Sequence, residues 1–203
     1  TPMELLAERH GLDAAFTAVH ATHLTERDVR LLQMHGSSVC MCPTTERDLA
    51  DGIAPTDRFR HDGVPISLGS DSHAVIDLFE EARAVELDER LGTGSRGNHR
   101  VRDLLAAATS TGHRSLGWPD AGRIEIGAAA DFATVSLTSV RTSGTTADHS
   151  LAAVVFAATA ADVTDVVVAG ERLVVGGRHR SIDVAVELDA AVRALWNAVG
   201  AAS

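Results

Sequence analysis

The sequence predicts an α/β fold in which consecutive βα units build a parallel sheet, followed by a smaller β segment and a closing helix. Three observations predict it. From residue 2 to about residue 112, short apolar runs alternate with longer amphipathic ones, the pattern of βα units. Around residues 117–122, Trp118-Pro119-Asp120 marks a turn-rich boundary, beyond which the texture becomes that of strands. Residues 184–199 then return to helical spacing, with Val186, Leu188, Val192, Leu195 and Trp196 on an apolar face that should pack.

Element by element, residues 2–10 read as a helix leading into a first strand over 15–21. Thr25 followed by Asp28 is a capping box for a helix that stops at Gly36. A second strand over 38–42 ends at Pro43, and a loop leads to a short helix around 54–62. A third strand, 64–69, precedes a long amphipathic helix near 75–91. Asn98 caps a further helix over about 100–112, closed by Gly112. Residues 131–137 alternate as a half-buried strand, 150–159 are helical, and strands 165–169 and 172–175 flank Gly170-Glu171 as a tight hairpin.

Composition narrows the function classes. The 203 residues are 45% hydrophobic and 23% charged, which fits a folded globular chain. Asp and Glu outnumber Lys and Arg by 28 to 18, a formal charge of -10 that repels phosphate backbones and anionic lipids, so neither nucleic acid nor a membrane is an expected partner. No apolar run reaches the roughly 18 residues of a membrane span, and residues 1–10 lack the pattern of a signal peptide; the cytoplasm is the expected compartment. The two cysteines, Cys40 and Cys42, are too close for an unstrained bridge and read as small apolar residues on one face of a strand. Gly92, Gly94 and Gly97 have the spacing of a dinucleotide fingerprint but follow a helix where that motif needs a strand, so they read as a loop.

Ten histidines in so acidic a chain direct attention to metal chemistry, which pairs imidazole with carboxylate. Two strand ends carry the sharpest signal. In parallel α/β architectures ligands bind beyond the carboxyl ends of strands. His20 ends the first strand, and Asp71 follows the third in Leu68-Gly69-Ser70-Asp71-Ser72-His73, where a carboxylate directly after a buried strand calls for a partner or a metal. Asp71 reads as functional, with the N-cap of the next helix as the alternative; His20 reads equally as catalytic or structural. His23 reads as structural, and His73 is a weak candidate for orienting substrate.

Three segments carry a resemblance. Val19-His20-Ala21-Thr22-His23-Leu24, the run from Cys42-Pro43-Thr44-Thr45-Glu46 to Ile53, and Gly69-Ser70-Asp71-Ser72-His73 resemble the last barrel strands of the amidohydrolase superfamily, within its deaminase branch. The Cys-Pro-Thr-Thr-Glu and Gly-Ser-Asp-Ser-His runs are most similar to the formimidoylglutamate deiminases of histidine degradation, where purine and cytosine deaminases usually carry Ser-His-Asn-Pro and Gly-Thr-Asp-Gly. Residues 77–81 and 122–132 are similar to the family too.

The resemblance implies a (β/α)8 metal-dependent hydrolase barrel, of which residues 1–117 would be the part with about strands six to eight. Residues 118–182 would belong to a small β-sandwich, and 183–203 would be the C-terminal helix and tail. It implies one divalent metal, usually zinc, with Asp71 as a ligand from the last strand and His20 contacting the metal-bound water or the substrate. Zinc lowers the pKa of bound water, and the resulting hydroxide would attack the formimino carbon. Asp71 would move the nucleophile's proton toward the leaving nitrogen and His20 would stabilise the tetrahedral centre, giving ammonia and N-formyl-L-glutamate. The superfamily's His-x-His pair and the histidine of its fifth strand do not occur in these residues, so most metal ligands would lie outside them. The expectation is therefore the C-terminal part of an enzyme, inactive alone, with a small-molecule substrate and a homodimeric complete form. The alternatives are a deaminase acting on a purine or another cyclic amidine, or a non-catalytic packing module.

Overall fold

The computed structural model describes residues 1–72 and 75–200. Helix α1 (Pro2–Glu8) starts from a capping box between Thr1 and Glu4 and leads to β1 (Thr17–Val19). Helix α2 (Glu26–His35) begins at Thr25, whose hydroxyl accepts from the Asp28 amide while Asp28 caps in return. It ends at Gly36, whose φ of +68° supplies the left-handed stop. Strand β2 (Ser38–Met41), helices α3 (Pro43–Asp48) and α4 (Thr56–His61), and strand β3 (Ile66–Leu68) follow. Helices α5 (Leu78–Thr93), α6 (Val101–Ala107) and α7 (Ser110–Ser115) complete the first half.

Strands β1, β2 and β3 form a parallel sheet in that order, with Val19 opposite Cys40 and Met41 opposite Leu68. Its core holds Val39 and Met41 from β2, Val29 and Leu32 from α2, Phe59 from α4, Val85 from α5 and Leu104 from α6, each almost completely buried. These apolar contacts, with no polar atom to satisfy, are what fix the helices against the sheet.

The second half is antiparallel. Strand β4 (Phe132–Val135) precedes α8 (Ser150–Phe156), and β5 (Val163–Val168), β6 (Glu171–Val175) and β7 (Arg178–His179) extend the sheet in the order β4-β5-β6-β7. Helix α8 packs on α5 and α6 through Val155 and Phe156, and the Arg90 guanidinium lies 5.7 Å from the Phe156 ring centre. Asp77 joins the halves: one carboxylate oxygen caps α5 at the Phe79 amide, and the other accepts from the Ala160 amide at 2.9 Å.

Several element expectations change. The stretch after Pro43 is α3, not a loop; proline at the first helical position lacks only an amide that has no helical partner there. The helix expected over 100–112 is two, α6 and α7, broken at Thr109 (φ -129°, ψ -100°), and Gly112 lies inside the second. Asn98 caps neither: its amide donates to the Ser95 carbonyl, and Arg100 is the N-cap residue of α6. The hairpin turns on Ala169 and Gly170, both at positive φ (51° and 80°), which matches the twist of the flanking strands. Strand β4 is largely exposed where half-burial was expected. Helix α9 (Val184–Gly200) forms over the expected residues but buries none of them, leaving Leu195 and Trp196 more than half exposed.

Candidate active site

Both strand-end residues arrive at one rim. His20 follows β1 and Asp71 follows β3, and Nε2 of His20 lies 3.6 Å from Oδ2 of Asp71. His20, Ala21 and Asp71 all have left-handed backbone, with φ of 65°, 52° and 51°. L-residues hold such angles at a local cost, and clusters of them mark sites whose side chains must be aimed. Helix N-capping, the alternative role of Asp71, falls to Asp77.

Glu46, one of the residues of the Cys-Pro-Thr-Thr-Glu run, completes the group. Its buried Oε1 accepts from the Cys42 amide at 2.8 Å and faces Nδ1 of His20 at 3.4 Å. Glu46 thus meets the ring at its Nδ1 edge, and Nε2 is turned toward Asp71. The two threonines of the run hold α3 in place. Thr45 donates to the Ser70 carbonyl, one residue before Asp71, at 2.8 Å, and the Thr44 amide and hydroxyl both donate to the fully buried Glu81 of α5. One helical turn therefore links the end of β1, the end of β3 and the long helix behind them.

Burial raises the carboxyl pKa of both Glu46 and Glu81. A carboxyl whose pKa is raised by folding contributes stability that is present below its unfolded value, near 4.5, and lost as pH rises through the folded one. Glu81→Gln removes that titration. Between about pH 4.5 and 7, wild-type Tm should therefore fall relative to Glu81→Gln as pH rises; parallel melting curves across that range would contradict this assignment.

His23 sits beside Gly52, whose added Cβ would lie 3.7 Å from the His23 ring. His73 lies outside the described residues. Cys40 is half-buried and Cys42 buried, and both sulfurs face Gly69 after β3. Asp71 and His20 supply one carboxylate and one imidazole, whereas catalytic zinc takes three protein ligands. Among the described residues no group of three or more His, Cys, Asp and Glu side chains could hold a metal ion, so these side chains do not by themselves make a zinc site. No helix among them is long and apolar enough to cross a membrane.

Residues 1–173 match the model of the amidohydrolase family. The chain is 34% identical over 186 residues to a 5-methylthioadenosine/S-adenosylhomocysteine deaminase of Natronomonas pharaonis, covering 90% of this chain and 42% of that protein. It is 33% identical over 186 residues to a formimidoylglutamate deiminase of Pseudomonas aeruginosa, covering 88% and 41%. An adenosine deaminase from Xanthomonas campestris, solved with bound zinc, superimposes with a TM-score of 0.87 at 30% identity over 95% of this chain and 44% of that one. The chain thus spans less than half the length of these relatives. With the family model matched over 173 of 203 residues and an α/β fold shared with that neighbour, the chain belongs to the amidohydrolase family.

Proposed function

We propose that these residues form the strand-six to strand-eight part of a hydrolytic deaminase whose substrate is N-formimino-L-glutamate. The observation that carries the reading is the meeting of His20, Glu46 and Asp71, from three successive strand ends, at one rim. The Asp71 carboxylate is placed to take a proton from an attacking water and return it to the leaving nitrogen. The imidazole, oriented by Glu46, is placed to bind the oxygen as the amidine carbon becomes tetrahedral. The C–N bond then breaks, ammonia departs and the formyl group remains. The zinc in the Xanthomonas campestris neighbour supports one divalent ion in the complete site, to which Asp71 is the ligand this chain would give.

The formimino substrate is supported by the Cys-Pro-Thr-Thr-Glu run, whose Glu46 touches the candidate catalytic histidine, and by the Pseudomonas aeruginosa relative. A second reading, deamination of an adenine-derived nucleoside, is favoured by the name of the Natronomonas pharaonis relative. Residues 1–203, expressed alone and with any coding sequence that precedes Thr1, should be supplied with zinc and assayed for ammonia. Release from N-formimino-L-glutamate is expected of the longer form and not of residues 1–203 alone. Release from 5-methylthioadenosine instead would favour the second reading, and release from neither substrate by the folded longer form would sink both.

A further inference from the structure

The two thiols have no part in the proposed deamination, yet they are aimed at one point. Cys40 in β2 and Cys42, two residues on, project to the same side of the strand. A Cβ added at Gly69 would lie 3.2 Å from Sγ of Cys42 and 3.4 Å from Sγ of Cys40, so glycine there leaves the space that both sulfurs face. The two thiols also interact with each other, and Cys40 with Ser67. They are the only cysteines of the chain.

We infer that Cys40 and Cys42 form a two-thiol site for trivalent arsenicals, a thiophilic class of electrophile that takes two sulfur ligands, at the rim beside His20. Sulfur ligands select soft centres, and an arsenic atom carrying one carbon substituent needs only two thiols, the number present. Cys40 is the more exposed and forms the first bond. Its interaction with the neighbouring Cys42 thiol holds the Cys40 thiol down at about 7, so a substantial fraction is thiolate at neutral pH. Cys42 then closes the ring. With phenylarsine oxide, each sulfur gains one S–As bond, the two thiol protons leave with the arsenic-bound oxygen as water, and nothing is oxidised or reduced. Neither step requires the deaminase chemistry.

The test is intact-mass analysis of the 203-residue chain after treatment with phenylarsine oxide. The expected result is one phenylarsenic group per native chain, retained in excess 2-mercaptoethanol and removed by 2,3-dimercaptopropanol. The second bond forms intramolecularly, so Cys40→Ser and Cys42→Ser should each lower retention by about 10²-fold, with circular dichroism confirming that the variants fold. The site is overturned if the native chain takes no label, or if wild-type protein loses it to the monothiol as readily as a single-cysteine variant. Wild-type retention against monothiol and dithiol decides the matter even if a variant misfolds.

Discussion

Asp71→Asn is expected to lower ammonia release by on the order of 10²- to 10⁴-fold, the usual contribution of a positioned acid–base group, while leaving the fold intact. Asparagine has nearly the shape of aspartate and tolerates left-handed backbone better than most residues, so φ of +51° at this position remains accessible. The side chain is 44% exposed, which leaves little packing to lose. What disappears is a carboxylate able to accept a proton 3.6 Å from Nε2 of His20. The comparison requires a form of the protein that turns over substrate, with melting temperatures measured beside the rates. Undiminished turnover in a folded Asp71→Asn protein would remove Asp71 from the chemistry.

Phe59→Ala should produce the largest loss of stability, about 3–5 kcal/mol. Phe59 is fully buried and belongs to the cluster that includes Leu32, Val64 and Met41. It lies in α4, a six-residue helix too short to persist without tertiary contacts. Truncation removes the ring's transfer energy and leaves a cavity that the sheet and α2 cannot fill without moving. For a chain of this length each kcal/mol lowers Tm by roughly 2–4 °C, so the change is readily seen by thermal or denaturant unfolding. A loss below about 1 kcal/mol would mean that α4 does not pack as described.

How much of this was legible in the sequence depended on the kind of signal. The order of the βα units could be read because the parallel strands are short apolar runs, and because Thr25, Asp28 and Gly36 mark the ends of their helix chemically. His20 and Asp71 were legible because a polar residue directly after such a strand is conspicuous. Glu46 was not, since one glutamate among many acidic residues means little until α3 is known to exist. Its signal was Pro43 just after a strand, the residue suited to a first helical turn. The break at Thr109 has no glycine or proline to announce it. For α9 the amphipathic period identified the helix, but periodicity states only which face could be covered.

The left-handed backbone at His20, Ala21 and Asp71 also sets which substitutions drift could accept at the rim. Glycine would relieve the torsional cost at any of the three. At Ala21 it would do so while deleting one methyl group. At His20 and Asp71 the same exchange would delete the imidazole or the carboxylate. Conformational ease and chemical competence are therefore aligned at one position and opposed at its two neighbours in the site, so a search for stabilised variants by loop relaxation alone would select against the residues that give this rim its chemistry.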